Sequence, residues 1–258
     1  VAHIMTPTTS DTGTGLISMA RHSANFFDGL FPDAGEPGTL FNLELHYSPN
    51  GTSGGPEGLK VGNPYNHTNG AYSIEDLGPN KETYRWGYQI RGARARDDYS
   101  KIVALNQAMS LEGEALKQEL DDLIDVDQWM RTFAQCSLNG TDDILGRIWE
   151  HNFRFYVRPT DGKIIALQWD LDRTFRLGTS GSLTSGLQSA VPTTNRSGVV
   201  HPFAKIFEIP QYRRLFDGHL RDQVDTTFNS SYSVPMAAGL ATHTGGSPGT
   251  FTSYVTNR

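Results

Sequence analysis

The chain carries a single cysteine, Cys136, among 258 residues. An internal disulfide framework is therefore excluded. With no His–Asn set arranged around it, Cys136 reads as core filler rather than a nucleophile. Long hydrophobic runs are also missing, and nothing approaches the ~18 apolar residues that a bilayer-spanning helix needs. Positive charge is in deficit, with 22 Lys and Arg against 28 Asp and Glu and a formal net charge of −6. That balance argues against a general nucleic-acid or anionic-membrane binder. No G-x-S-x-G motif, no second His or Cys at metal-ligand spacing from His151, and no internal repeat is present. The chain starts at Val1 and stops at Arg258 without punctuation, and is read as an excerpt of a longer protein.

What is present is an ordinary globular composition, 37% hydrophobic with 27 glycines, long enough for one large or two small domains. Residues 1–15 are rich in Thr, Ser and Gly and read as mobile. Leu16 to Leu30 has helical spacing, and Thr39 to Tyr47 alternates as a strand. A Pro/Gly/Asn-dense loop follows from Ser48 to Pro79, with short strands expected near Lys60-Val61 and Tyr72-Ser73. Tyr84 to Ile90 reads as either strand or helix. Asp97-Asp98-Tyr99-Ser100 reads as a helix start with Asp at the N-cap and first turn, a second helical pattern begins near Ser110, and Asp125 caps a third carrying Trp129, Met130 and Phe133. Two strands, Asn152 to Val157 and Lys163 to Trp169, flank the hairpin signal Asp161-Gly162. Pro210 opens a helix reaching about Phe228, and the tail from Asn229 shows little periodicity. Five N-x-S/T acceptors (Asn50, Asn66, Asn139, Asn195, Asn229) are no more than a Ser/Thr-rich chain produces by chance.

The most informative stretch is Trp169-Asp170-Leu171-Asp172-Arg173-Thr174-Phe175. A strand runs into two carboxylates beside aromatic rings, where charge is costly without a cation or hydrogen-bond donors. Phosphoryl transfer needs a carboxylate at the attacking hydroxyl, an amide or carboxylate ligand for Mg²⁺, and a carboxylate bridging metal to phosphates. Protein kinases order these as Asp, Asn, a strand pair, then Asp. Asp142-Asp143, Asn152, the hairpin and Asp170 follow that order, although Asp143 and Asn152 are nine apart where kinases have five. Plainer readings exist for each. Asn139 to Asp143 makes a good turn, Asn152 can cap a strand, and Asp172-Arg173 can be a structural ion pair. A D-x-D also occurs in metal-dependent glycosyltransferases, but the parallel βαβ core they require is not visible ahead of it.

These residues resemble the CotH kinase family, atypical secreted or surface-associated protein kinases named for a spore-coat member. The likeness rests on His151-Asn152-Phe153-Arg154-Phe155-Tyr156, the Asp-Gly turn and Trp169 to Phe175. Ile124 to Trp129, His201-Pro202, Ile209 to Arg213, Arg85-Trp86 and Asp97 to Ser100 add to it. It covers about residues 40–258. The resemblance implies an α+β, remote protein-kinase-like fold, with a mainly helical C-lobe, a β-hairpin at the active site and an incomplete N-terminal lobe. Residues 1–39 would be a flexible segment and helix, and 40–258 a partial kinase-like domain. It further implies transfer of phosphate from ATP, with Mg²⁺ or Mn²⁺, to Ser/Thr of surface or coat proteins outside the cell. Asp143 or Asp142 would be catalytic, Asn152 and Asp170 metal ligands, and Asp172 a support to the metal shell.

Trp169 would shape the nucleotide pocket. Family members carry an R-G-N-S-like motif and a phosphate-contacting lysine, and no such motif precedes Leu40. Lys60 and Lys81 are the only lysines before Lys101, and Lys60 is the cofactor-binding candidate. The competing expectation is a non-catalytic surface, coat or adhesion module on the same fold. No transmembrane segment and no nucleic-acid partner are expected, and the oligomeric state is open.

Overall fold

Strand β1 (Thr39–Leu43) points Phe41 and Leu43 to one side and Leu40 and Asn42 to the other, yet all five residues are buried. A strand buried on both faces lies between two layers. The structure, a computed structural model, describes residues 22–43, 45–46, 70–71, 74–85, 87–141, 152–171, 173–175, 203–244 and 246–257. Among these are nine α-helices and a four-stranded antiparallel sheet, an α+β arrangement. The sheet order is β4 (Tyr88–Ile90), β1, β5 (Phe153–Val157), β6 (Ile164–Gln168). Phe41 stands opposite Ile90 on one side and Phe155 on the other, and Phe155 opposite Ala166. A separate two-stranded ladder pairs β2 (Leu45–His46) with β3 (Gly70–Ala71).

The inner face of the sheet, with Phe41, Leu43, Phe153, Phe155, Ile164 and Ala166, joins the main core. Helices α3 (Ser100–Ala108), α4 (Gly113–Leu123) and α5 (Val126–Asn139) bring Ile102, Leu105, Leu116, Leu120, Trp129 and Phe133 to it. Two later helices, α6 (Ala204–Glu208) and α7 (Pro210–Thr226), add Ile206, Phe207 and Phe216. The outer face carries a smaller cluster, in which α1 (Ala24–Leu30) sets Phe27 against Leu40, Tyr156 and Ile165. Phe27 stacks on Tyr156 at 3.7 Å between ring centroids. The Tyr156 hydroxyl accepts from Gly38 N at 2.9 Å, and a Cβ at Gly38 would lie 2.1 Å from the Val157 carbonyl oxygen. Only glycine fits there.

Helix α5 solves the edge problem of the sheet. β6 is an edge strand whose unpaired backbone would otherwise be exposed or orphaned. Gln128 clamps Ala166, donating from Nε2 to its carbonyl at 2.6 Å and accepting its N–H at Oε1 at 2.8 Å. Trp129 Nε1 donates to Ile164 O at 2.9 Å, and the backbone N of Asp125 does so at 3.1 Å. Asp125 caps α5 as its position predicts, accepting from Gln128 N at 3.1 Å. Its other oxygen meets Arg158 Nη1 at 2.6 Å, tying the helix start to the hairpin loop. Asp125→Ala should therefore cost about 2 kcal/mol in urea denaturation, roughly half for the cap and half for the partly buried pair. A loss below about 0.5 kcal/mol would show that this junction is not structural.

Three elements differ from the sequence reading. Helix α3 starts at Ser100 rather than Asp97, because Asp97 lies in the left-handed region (φ 48°) and cannot cap it. Asp97 instead pairs with Arg85 at 2.6 Å and Lys81 at 2.7 Å, and these cations hold its carboxyl well below the usual carboxylate range. The stretch from Tyr84, open between helix and strand, divides: α2 (Lys81–Tyr84) ends there and β4 begins at Tyr88. The tail holds two helices, α8 (Ser230–Thr244) and α9 (Gly249–Asn257). Their Ser, Thr, Gly and Ala carry little amphipathic signal, and α8 contains Pro235. Tertiary contact supplies what propensity lacks: Tyr254 of α9 is buried and donates to Leu138 O at 2.8 Å. Among the described residues, no helix is long and apolar enough to cross a membrane.

Candidate functional site at the open end of the hairpin

The β5–β6 hairpin closes at Arg158 and Lys163, where Gly162 takes φ 70°. Its other end is open and carries the polar residues. Phe153 and Gln168 form the last strand pair, and Trp169 N donates to Asn152 O at 3.1 Å. Asn152 and Trp169 thus face each other across the ladder, with Asp170 one residue beyond. Both Asn152 and Asp170 adopt φ 55°. Asn and Asp tolerate the left-handed region best among residues with a Cβ, but it still costs on the order of 1 kcal/mol each. Both strands therefore leave extended backbone geometry at this end of the ladder. Phe175, also at φ 55°, returns the chain, its N–H donating to Asn139 O at 2.8 Å and its ring packing against Phe251 and Tyr254. The stretch that leaves Asp170 is anchored at the far end.

Asn152 is buried, at 8% exposure, whereas Asp170 is exposed. Burial therefore does not demand a cation at Asp170, contrary to the desolvation argument drawn from its aromatic neighbours. Its carboxylate makes no hydrogen bond or ion pair among the described residues, so its oxygens face solvent. The side chains of Asn152 and Asp170 offer an amide oxygen and a carboxylate, both hard donors, and Mg²⁺ is commonly held by one or two carboxylates plus phosphate and water. The pair fits that ion by donor chemistry. Among the described residues no group of three or more His, Cys, Asp or Glu gathers as a metal site. Asp142, Asp143, Asp172 and Lys60 lie outside the described residues. Lys81, the other lysine ahead of Lys101, sits in α2 on Asp97 and not beside the hairpin.

Trp169 leads from this end onto the outer face of the sheet. There His22, Ser23, Leu40, Asn42, Arg91, Arg94, Arg154 and Trp169 line a cleft of about 560 Å³. The Arg154 guanidinium lies over the Trp169 ring at 3.3 Å from its centroid and approaches His22 Nδ1 at 3.2 Å. Arginine can only donate, so Nδ1 is the acceptor and the imidazole proton resides on Nε2. Burial and, second, the Arg154 charge lower the His22 pKa to about 4. An unfolded histidine titrates near 6.5, so between those values the unfolded chain binds the proton and the folded chain does not. Stability should accordingly fall as pH drops from about 6.5 to 4. His22→Gln should flatten that part of the profile of melting temperature against pH. An unchanged slope would remove His22 as its source.

Sequence reasoning selects Asn152, Trp169 and Asp170, which the structure brings together, and misses the cleft beside them. Two signals for it exist. Arg154 is the polar residue between Phe153 and Phe155 in an alternating strand, and Arg91, Arg94 and Arg96 crowd into six residues. The family described as CotH kinase protein matches residues 54–247. A search of curated proteins returns no match. The match spans the ordered Asn152–hairpin–Asp170 set and well over half of the sequence, so the chain belongs to the CotH kinase family.

Proposed function

We propose that this chain transfers the γ-phosphoryl group of ATP to Ser or Thr hydroxyls of extracellular surface or coat proteins, on a remote protein-kinase-like fold. The observation that carries the reading is the position of Asn152 and Asp170 at the open end of the hairpin, one directly before β5 and the other two residues after β6, both with left-handed backbone. In this reading Asn152 and Asp170 hold the metal, with Asp172 in support, and Trp169 walls the nucleotide pocket. Mg²⁺ or Mn²⁺, when bound, would neutralise charge on the β- and γ-phosphates. Asp143, or its neighbour Asp142, orients the acceptor hydroxyl and takes its proton late. The acceptor oxygen–phosphorus bond forms as the bond to the β–γ bridging oxygen breaks, and ADP leaves. Positioning and electrostatics, not covalent chemistry, supply the rate.

A second reading, a non-catalytic surface, coat or adhesion module, is favoured by two observations. Lys81 is tied to Asp97, and one face of Trp169 is covered by Arg154. Melting curves with millimolar ATP and Mg²⁺ separate the two, since a ligand of the folded state raises its stability by mass action. A kinase should show both a rise in melting temperature and label transfer from γ-labelled ATP to a Ser/Thr protein acceptor. The absence of both would favour the binding module.

A further inference from the structure

In a chain of net charge −6, the cleft on the outer face gathers three arginines. Their neighbours show that this is not a general property of the surface. Arg85 is neutralised by Glu82 and Asp97, and Arg96 by Glu36 at 3.1 Å, with a further bond to Pro37 O. Arg91, which directly follows β4, and Arg94 line the cleft and have no carboxylate partner among the described residues. Arg91 Nη2 donates only to Gln89 at 2.6 Å, and the Arg94 guanidinium makes no hydrogen bond or ion pair there. The turn that presents Arg94, Arg94–Arg96, is flanked by Ala93 and Asp97 in the left-handed region, at φ 51° and 48°. Alanine gains nothing locally from that conformation, so the surrounding structure holds the turn against its preference.

Two cations without a carboxylate partner among the described residues, Arg94 on the strained turn and Arg91 just after β4, line one cleft with Arg154 and form a site for an anion of more than one charge. Arginine forks match phosphate oxygens in geometry as well as charge. The volume of about 560 Å³ is in the range of sites for small organic ligands. The cleft floor, Leu40 and Asn42, is sheet and therefore fixed, while Trp169 joins the cleft to Asp170. We infer that Arg91, Arg94 and Arg154 bind the polyphosphate tail of a nucleoside triphosphate, and that they do so without a divalent cation. The identity of the occupant rests on the phosphoryl-transfer reading; the anion site does not.

The test is calorimetric titration of the whole chain, with EDTA present, using inorganic tripolyphosphate, ATP, adenosine and phosphoserine. Tripolyphosphate and ATP should bind, adenosine and phosphoserine far more weakly, with affinity falling as salt rises. R91Q/R94Q should weaken tripolyphosphate by about tenfold or more, while R96Q, outside the cleft, should not. If the double variant fails to fold, R94Q alone carries the test, because that guanidinium supports nothing in the protein. Equal binding by R94Q or R91Q/R94Q and the native chain, or no binding by the native chain, overturns the inference. Preference for phosphoserine over tripolyphosphate overturns the occupant. Tripolyphosphate binding that depends on these arginines, in a chain that never transfers label, would sink the kinase reading and leave the cleft standing.

Discussion

Asp170→Asn should lower phosphoryl transfer on the order of 10³-fold while moving the melting temperature by no more than about 2 °C. The two halves of that expectation have separate causes. Asparagine has the shape of aspartate and tolerates the left-handed backbone that position 170 requires, where φ is 55°. The carboxylate is exposed and makes no contact among the described residues that folding would miss. Only the negative charge is removed, and charge is what binds a divalent cation and offsets phosphate repulsion. Alanine is the poorer probe, since strain of about 1 kcal/mol at a positive φ would mix folding with function. Transfer at the native rate by a folded Asp170→Asn protein would end the metal assignment. Loss of folding instead would show that Asp170 serves the hairpin.

The second large effect is expected at Trp129→Ala, at about 4 to 6 kcal/mol in equilibrium denaturation. Trp129 is fully buried, with ring centroids of Phe155, Phe203 and Phe133 at 5.6, 6.0 and 6.0 Å. Truncating a buried aromatic costs about 3–5 kcal/mol in lost transfer and residual cavity. The Ile164 carbonyl then also loses the indole donor at 2.9 Å, for roughly another 1 kcal/mol. Against a typical total stability of 5–15 kcal/mol that is a large share. Trp129→Phe keeps most of the packing and removes the donor, so it should cost less than half as much. Equal losses in the two variants would mean that the hydrogen bond, not the ring, dominates. A loss under about 2 kcal/mol for Trp129→Ala would show that the α5–β6 junction closes over the gap.

How much of this was legible in the amino-acid order depends on the range of each interaction. Asp125 was readable as a cap because it acts on Gln128, three residues away. The hairpin was readable because Asp161-Gly162 and the flanking alternation are local. Reading Asp97 as a cap failed because Arg85 and Lys81, twelve and sixteen residues upstream, outbid the helix start for its carboxylate. Helices α8 and α9 were missed because their residues have weak periodicity, and α9 folds against Leu138 and Phe175, far away in the chain.

The candidate site divides in the same way. The order Asn152, hairpin, Asp170, and with it the family, was determined by the sequence alone, since a hairpin brings its two ends together whatever surrounds it. That Asp170 is exposed, that Asn152 is buried, and that each takes left-handed backbone was decided by the packed structure. So was the cleft, where β4 and β1 lie beside β5 and bring Arg91 and Arg94 across from Arg154. Those strands come from three separate parts of the chain. Residues so distant become neighbours only once burial of Phe41, Phe155 and Trp129 has chosen the sheet order, and no local pattern records that choice.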